Sequence, residues 1–292
     1  MSYIKAGPDA QGNPVKLHYT DLGQGTPVVL IHGWPLSYES WEYQLNELPK
    51  HGLRVTAYSR RGFGNSDKPW DGYDYDTFAD DLKAVLDELN LNNVTLVGFS
   101  MGGGEVARYM SRHGGARVSK VVFVSAVTPY LLKTDDNPDG VDKSVFDDMI
   151  ENINKDRFDF LSSFGKKFYG VGVISHPVSQ ATLDWTQALA QFGSPRATEQ
   201  CVRAFGGTDF RQDLQNIKVP ALVIHGEDDQ TVPIKNSGAR MQQYLPHATY
   251  IEYSGGPHGV FITDKDKLNR DLLQFIGQGQ EQVRGAQSTT TY

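Results

Sequence analysis

The feature of this sequence that could carry chemistry is a serine between two glycines. Residues 98–102 read Gly-Phe-Ser-Met-Gly, a G-x-S-x-G pattern. The apolar, β-branched run Val94–Val97 predicts a buried strand before it, and Glu105–Met110 predicts a helix after it. Flanking glycines let a strand reverse sharply into a helix, which pushes the hydroxyl of Ser100 outward above the helix N-terminus. The pattern therefore predicts a nucleophilic serine, and a glycine-rich turn with a buried serine is the alternative.

A serine nucleophile needs an imidazole to take its proton and a carboxylate to hold that imidazole in one tautomer. Among the eight histidines, His258 lies in a glycine-rich loop between the last predicted strand and the last predicted helix. Open α/β sheets place their ligands at the carboxyl ends of strands, so His258 is the predicted base. His32 and His225 lie at the ends of two other predicted strands, and we expect them to be structural and to hydrogen-bond loop backbone.

The acid and the oxyanion donors are less sharply marked. Three acidic residues follow the predicted strand Ala221–His225: Glu227, Asp228 and Asp229. The residue types alone leave the choice among them open. Acyl transfer also needs two N–H donors for the developing oxyanion. Met101, directly after the serine, is one candidate, and Trp34, in the loop after the first parallel strand, is the other.

Predicted strands and helices alternate along the chain and would position these residues. The predicted strands are Tyr3–Ala6, Val15–Asp21, Pro27–His32, Leu53–Tyr58, Val94–Val97, Val118–Val124, Ala221–His225 and Thr249–Tyr253. The predicted helices run from near Ser37 or Ser40 to Leu48, and over Tyr75–Leu89, Glu105–Met110, Lys235–Leu245 and Asp264–Ile276. This alternation favours a doubly wound parallel sheet with an antiparallel hairpin at its edge. Between residues 130 and 210 the alternation stops, and the helical, aromatic-rich sequence there predicts an insertion.

Composition argues against several other functions. The 28 Lys and Arg residues against 35 Asp and Glu residues give a net charge of −7, which disfavours a nucleic-acid partner. The single cysteine, Cys201, cannot form an intrachain disulfide and is expected to be buried filler. The N-terminus lacks the apolar core of a signal peptide, and there is no apolar run of the roughly 18 residues that a membrane span needs. We therefore expect a cytoplasmic protein without a membrane partner.

With these residues in place, the chain resembles the α/β-hydrolase superfamily. Within it, the chain is similar to the branch of aryl esterases and cofactor-free (non-haem) haloperoxidases, also called perhydrolases. The shared patterns are His-Gly-Trp-Pro at 32–35, Arg-Arg-Gly-Phe-Gly-Asn-Ser at 60–66, Gly-Phe-Ser-Met-Gly-Gly at 98–103, Thr-Asp-Phe at 208–210 ahead of Val-Pro at 219–220, and Pro-His-Gly at 257–259. The resemblance implies an α/β-hydrolase fold with a mostly parallel eight-stranded sheet, flanking helices and a helical cap insertion.

The resemblance also implies roles for individual residues. The acid of the family is the last residue of G-x-x-D, four residues before a proline; Gly226 and Pro233 bracket Asp229 in this way. The implied catalytic set is therefore Ser100, Asp229 and His258, and the implied oxyanion donors are the N–H groups of Trp34 and Met101. The expected substrate pocket contains Trp34, Phe164, Phe168 and Ile234. No metal or organic cofactor is expected.

The predicted domains are a core over residues 1–129 and 211–276 and a helical cap over 130–210. The polar, repetitive sequence over 277–292 departs from the family and predicts a flexible tail. The implied activity is cleavage of small or aryl carboxylic esters through an acyl-enzyme that water or hydrogen peroxide then attacks. A lactamase or amidase with the same triad is the alternative, and a ligand-binding protein that keeps the fold is a third hypothesis. The expected partners are a small ester or carboxylic acid with water or peroxide, and a homo-oligomer is left open.

Overall fold

The computed structural model describes residues 2–277, so the predicted tail lies outside the described residues from 278 onward. Its strands are β1 (Ser2–Pro8), β2 (Pro14–Leu22), β3 (Thr26–Ile31), β4 (Leu53–Tyr58), β5 (Val94–Phe99), β6 (Val118–Val124), β7 (Ala221–Gly226) and β8 (Thr249–Tyr253). They form one eight-stranded sheet in the order β1-β2-β4-β3-β5-β6-β7-β8. The pairs from β4 onward are parallel, whereas β1 and β2 form the predicted antiparallel hairpin at one edge.

Helices cover both faces of this sheet. They are α1 (Glu42–Glu47), α2 (Tyr75–Glu88), α3 (Met101–Arg112), α4 (Lys143–Phe168), α5 (Gln180–Gln191), α6 (Pro195–Gly207), α7 (Arg211–Gln215), α8 (Met241–Tyr244), α9 (Val260–Thr263) and α10 (Lys265–Gly277). Successive side chains of a strand point to opposite faces, and β3 shows the result. Val29 belongs to the apolar cluster that contains α2 and α3, while Leu30 belongs to the cluster that contains α10. Its apolar run is continuous because both of its faces are buried.

Four helices, α4 to α7, lie between β6 and β7 in the chain. The longest, α4, is interrupted at Asp156, whose backbone is extended at φ −155° and ψ 93°. The carboxylate of Asp156 accepts hydrogen bonds from the N–H groups of Phe158 and Asp159, at 3.1 Å each, and so caps the second half. The two halves of α4 therefore present two differently directed surfaces. Within residues 2–277, no helix has the length and hydropathy needed to cross a membrane.

One predicted element differs in the structure. The expected helix Lys235–Leu245 is replaced by two 3-10 turns, Ile234–Asn236 and Gly238–Arg240, followed by the four-residue α8. The break falls at Ser237, whose φ of −139° and ψ of −96° are not helical. Gly238 then packs so closely on the ring of His225 that an added Cβ would lie 2.6 Å from Nδ1. Contact with β7 therefore outweighs the helical periodicity of this segment.

Candidate active site

Ser100 lies in the sharp turn between β5 and α3 that the sequence predicts. Its φ of 52° and ψ of −118° put a non-glycine residue in a strained conformation, which costs about 1–3 kcal/mol and is typical of functional turns. The flanking glycines have a visible cause. A Cβ on Gly98 would lie 2.5 Å from the carbonyl oxygen of Gly102, and a Cβ on Gly102 would lie 2.5 Å from that of Ile31. Larger residues at either position would therefore force the turn apart.

Three residues that are distant in sequence meet at the carboxyl ends of β5, β7 and β8. The hydroxyl oxygen of Ser100 lies 2.9 Å from Nε2 of His258, and Nδ1 of His258 lies 2.6 Å from Oδ2 of Asp229. All three side chains are buried, with His258 fully enclosed. If Ser100 donates to Nε2, the proton of the neutral ring is on Nδ1 and is donated to Asp229. The geometry is that of a nucleophile, a base and a carboxylate that orients the base.

Asp229 is the one carboxylate of the three candidates that contacts the histidine. Its Oδ1 accepts the N–H groups of Thr231 at 2.9 Å and Val232 at 2.7 Å. Burial alone would raise the pKa of Asp229, but the charge of His258 and hydrogen bonds from His225 and His258 outweigh it and hold this pKa well below its usual value. Asp229 is therefore ionised at neutral pH.

The other two carboxylates face solvent. Glu227 is exposed and accepts the hydroxyl of Ser254 at 2.9 Å, which ties the two strand-end loops together. Asp228 is also exposed. Neither replaces Asp229 beside the imidazole.

The expected oxyanion donors lie on two loops that touch at the serine. Met101 is the first residue of α3, and N–H groups in the first turn of a helix have no intrahelical acceptor. Trp34 follows β3 in a turn that Leu36 N–H closes onto the carbonyl of Gly33 at 3.0 Å. A Cβ on Gly33 would lie 2.9 Å from that of Ser100, so this loop packs directly against the nucleophile.

A cavity of about 470 Å³ opens beside Ser100. Its lining is mainly apolar and comes from the loops of the sheet and from α4 and α6: Trp34, Ser100, Val127, Leu131, Val141, Val145, Phe146, Met149, Phe160, Ser163, Phe164, Lys167, Phe205, Gln230, Thr231, Val232 and Pro233. The expected pocket residues Trp34 and Phe164 both line this cavity, with their ring centroids 5.1 Å apart.

Two expected pocket residues do not line this cavity. Phe168 is 1% exposed, and its ring stands edge-on to that of His258 at a centroid distance of 4.9 Å. Its carbonyl accepts the N–H of Gly259 at 3.0 Å, so it supports the histidine loop from behind. Ile234 begins the 3-10 turn that replaces the predicted helix, one residue beyond the lining residue Pro233.

Sequence reasoning missed Phe160 and one contact of His225. Phe160 lies four residues before the expected pocket residue Phe164 on α4, and that spacing could have predicted a shared face toward the cavity. His225 binds the carbonyl of Val232 at 2.9 Å, as expected for a structural histidine, but its Nε2 also lies 3.2 Å from Oδ2 of Asp229. Among residues 2–277, no group of three or more His, Cys, Asp or Glu side chains could hold a metal ion.

Known proteins resemble this chain over nearly its whole length. Non-heme chloroperoxidase CPO-A1 of Kitasatospora aureofaciens is 45% identical over 268 residues, which cover 90% of this chain and 97% of that protein. Bifunctional esterase/perhydrolase DCH of Acinetobacter calcoaceticus is 41% identical over 266 residues, covering 90% of this chain and 96% of that protein.

The structural comparison agrees. The crystal structure of bromoperoxidase from Bacillus anthracis superimposes with a TM-score of 0.90 at 46% identity, over 94% of this chain and 99% of that one. The sequence profile described as alpha/beta hydrolase fold matches residues 26–265. This chain therefore belongs to the alpha/beta hydrolase fold family, as the resemblance in its motifs predicted.

Proposed function

We propose that this protein is a serine hydrolase that cleaves small or aryl carboxylic esters and also acts as a perhydrolase. The observation that carries the proposal is the hydrogen-bonded chain from Ser100 through His258 to Asp229 beside an apolar cavity. Relatives named non-heme chloroperoxidase and esterase/perhydrolase support the same activity.

In the proposed mechanism, the ester carbonyl binds beside Ser100 with its oxygen toward the N–H groups of Met101 and Trp34. The hydroxyl oxygen of Ser100 attacks the carbonyl carbon while its proton moves to Nε2 of His258. Asp229 stabilises the imidazolium, and the two N–H groups stabilise the oxyanion. His258 then returns the proton to the leaving alcohol as the carbon–oxygen bond breaks. An acyl-enzyme remains.

The acyl-enzyme is released by water or by hydrogen peroxide. His258 removes a proton from the incoming oxygen, that oxygen attacks the acyl carbon, and the proton passes to the oxygen of Ser100 as the acyl bond breaks. Water gives the carboxylic acid, and peroxide gives the peracid. A released peracid can oxidise halide in solution, which connects a serine hydrolase to the haloperoxidase names of its relatives.

We also propose that residues 130–210 form a cap on a core made of residues 1–129 and 211–276. Support comes from the cavity lining, because Phe146, Phe164 and Phe205 from α4 and α6 face the loops that carry the serine and Trp34. In this proposal, the core holds the reacting groups and the cap encloses the substrate.

The test compares the wild-type protein with Ser100→Ala on two reactions. These are hydrolysis of p-nitrophenyl acetate and formation of peracetic acid from acetic acid and hydrogen peroxide. We expect the substitution to lower kcat by about 10⁴-fold or more in both, because one nucleophile serves both. The control is Ser175→Ala, which changes an exposed serine in the loop between α4 and α5 that does not line the cavity and should keep both activities.

Ester turnover in Ser100→Ala at the wild-type rate would refute the proposal. If the wild-type protein leaves esters intact but cleaves the matching amide or lactam, the triad belongs to an amidase or lactamase instead.

A further inference from the structure

A second histidine contacts the carboxylate of the triad from inside the sheet. His225 is a fully buried residue of β7, four residues before Asp229. Its Nε2 lies 3.2 Å from Oδ2 of Asp229, the same oxygen that lies 2.6 Å from Nδ1 of His258. Two imidazole rings therefore converge on one carboxylate oxygen.

The surroundings of His225 define its tautomer. Nε2 lies 2.9 Å from the carbonyl oxygen of Val232, which can only accept, so the ring proton is on Nε2. Nδ1 is buried and has no hydrogen-bond partner among residues 2–277. Gly238 packs against this side of the ring, so a second proton on Nδ1 would find no acceptor there. The ring N–H of His225 is therefore on Nε2, close to both Val232 and Asp229.

Val232 closes a ring of hydrogen bonds around the carboxylate. Its carbonyl accepts from His225, while its N–H donates to Oδ1 of Asp229 at 2.7 Å. Thr231 N–H also donates to Oδ1, at 2.9 Å. Two backbone N–H groups thus donate to Oδ1 of Asp229, while Nδ1 of His258 and Nε2 of His225 both lie close to Oδ2. Each donor stabilises the ionised carboxylate and lowers its basicity.

Few other groups near Asp229 and His258 could change the basicity of this carboxylate. Phe99 of β5 and Phe168 of α4 face His258 with uncharged rings, each at a centroid distance of 4.9 Å. Glu252, the register partner of His225 on β8, is exposed, as is Lys235 beside the 3-10 turn.

The remaining nearby ionisable groups point elsewhere. Glu227 and Asp228, in the loop between β7 and Asp229, are exposed. Arg240 donates to the side chain of Asn137 at 2.7 Å. Ser125, directly after β6, is uncharged.

We infer that His225 is a positioning residue of the proposed hydrolase, whose Nε2–H helps to hold the carboxylate of Asp229 against His258. The inference rests on the proposed function. Without this N–H, the carboxylate would be more basic and less firmly oriented. Because a more basic carboxylate stabilises an imidazolium more strongly, the acid limb of the pH–rate profile would move to higher pH.

Two amide substitutions separate this role from simple filling of space. In His225→Gln, the amide nitrogen can take the place of Nε2, so the donor to Asp229 is kept. In His225→Asn, the shorter side chain can reach only the place of Nδ1, so that donor is lost although polarity and approximate size remain. The pair is matched in chemistry and differs in the position of one N–H group.

The measurement is the pH profile of kcat/KM on p-nitrophenyl acetate, with kcat and KM determined separately. We expect His225→Asn to lower kcat about tenfold and to move the acid limb up by about 0.5 to 1 pH unit, with KM unchanged. His225→Gln should stay within about threefold of wild type with its acid limb in place. An acid limb that stays fixed or moves down in His225→Asn, or equal behaviour of the two variants, overturns the inference.

A measurement on the wild-type protein covers the case in which His225→Asn does not fold. Histidine ring nitrogens can be assigned by NMR after ¹⁵N labelling, and the protein is titrated across the acid limb. His225 should keep a ring proton on Nε2 and none on Nδ1 throughout this pH range. A charged His225 ring, or a proton on Nδ1, overturns the inference. Activity that survives Ser100→Ala would instead overturn the proposed function, so the two failures can be told apart.

Discussion

Different forces hold the residues in place on the two sides of the cavity. On the core side, Ser100, Asp229 and His258 lie at strand ends and are fixed by directional hydrogen bonds. On the insertion side, α4 and α6 present aromatic rings such as Phe164 and Phe205, which pack on Trp34 at centroid distances of 5.1 and 5.6 Å. Hydrogen bonds determine the positions of the reacting atoms to within tenths of an ångström, whereas apolar packing determines the size and shape of the space for the substrate. The comparison suggests that the core side determines rate and the insertion side determines which ester fits.

The largest expected effect comes from the acid on the core side. Asp229→Asn removes the charge that stabilises the imidazolium, and we expect kcat to fall about 10⁴-fold. The factor should be equal for p-nitrophenyl acetate and p-nitrophenyl benzoate, because Asp229 does not contact the acyl group. Asp228→Asn, which changes the exposed neighbouring carboxylate, is the matched control and should leave both rates unchanged. Different factors for the two esters would contradict the proposed separation of roles.

A second effect concerns the buried ion pair beneath the serine turn. The guanidinium of Arg60 and the carboxylate of Glu105 on α3 are at most 1% exposed, and Nη2 and Oε2 are 2.7 Å apart. Arg60 also makes two hydrogen bonds to His32. Its Nη2–H donates to the backbone carbonyl of His32 at 3.0 Å, and its backbone N–H donates to Nε2 of the His32 ring at 2.9 Å. The pair therefore ties the loop before Trp34 to the helix after Ser100.

Glu105→Gln would leave the Arg60 charge buried and unpaired. We expect it to lower the free energy of unfolding by about 3–5 kcal/mol, measured by urea titration. The comparison variant is Asp147→Asn, which breaks the exposed Lys143–Asp147 pair on the insertion and should leave the urea midpoint within error. A midpoint for Glu105→Gln equal to that of wild type would show that the core side does not depend on this pair.

The sequence predicted best what depends on neighbours along the chain. Ser100 was identified from glycines within two residues of it, and His258 from its own glycine-rich loop. The identity of the acid needed the resemblance, because three adjacent carboxylates differ only in the direction in which the loop turns them. The donors on Oδ1 of Asp229 come from the next residues, Thr231 and Val232, and only the folded loop reveals them.

Contacts between distant segments could not be predicted in this way. The resemblance implies that Phe168 is a pocket residue, but the approach of the Gly259 loop places it behind His258. The predicted helix Lys235–Leu245 has helical periodicity, yet contact between Gly238 and His225 interrupts it. In both cases a tertiary contact outweighs a local pattern.

Substitutions on the insertion side should change specificity more than rate. The rings of Phe160 and Phe164 stack at a centroid distance of 5.9 Å and line the cavity. We expect Phe164→Ala to raise KM for p-nitrophenyl benzoate about tenfold, with kcat on p-nitrophenyl acetate within about threefold of wild type. Phe158→Ala is the control, because this ring on the same helix is 54% exposed. A fall in kcat on both esters with KM unchanged would mean that the insertion side positions the reacting groups.

The smallest expected effect tests whether the insertion stays on the core during turnover. Cys201, the single cysteine of the chain, is fully buried on α6, and burial raises the pKa of its thiol to about 12 despite the nearby Arg60 charge. Thr198, one turn earlier on α6, accepts the Trp34 indole N–H at 3.0 Å. A thiol reagent such as DTNB needs both access and a thiolate. At pH 8 the folded protein should therefore show no labelling and full esterase activity, whereas one thiol per chain should react in denaturing urea.

Labelling of the folded protein faster than its global unfolding would mean that α6 separates from the core. Trp34 would then lose its contacts with Thr198 and Phe205 during each opening, and the insertion side would act as a moving lid instead of a fixed wall. Repeating the labelling with a non-hydrolysable ester analogue distinguishes the two cases. A lid that closes on the analogue slows the reaction of Cys201 with DTNB, while a fixed wall leaves the thiol unreactive with or without the analogue.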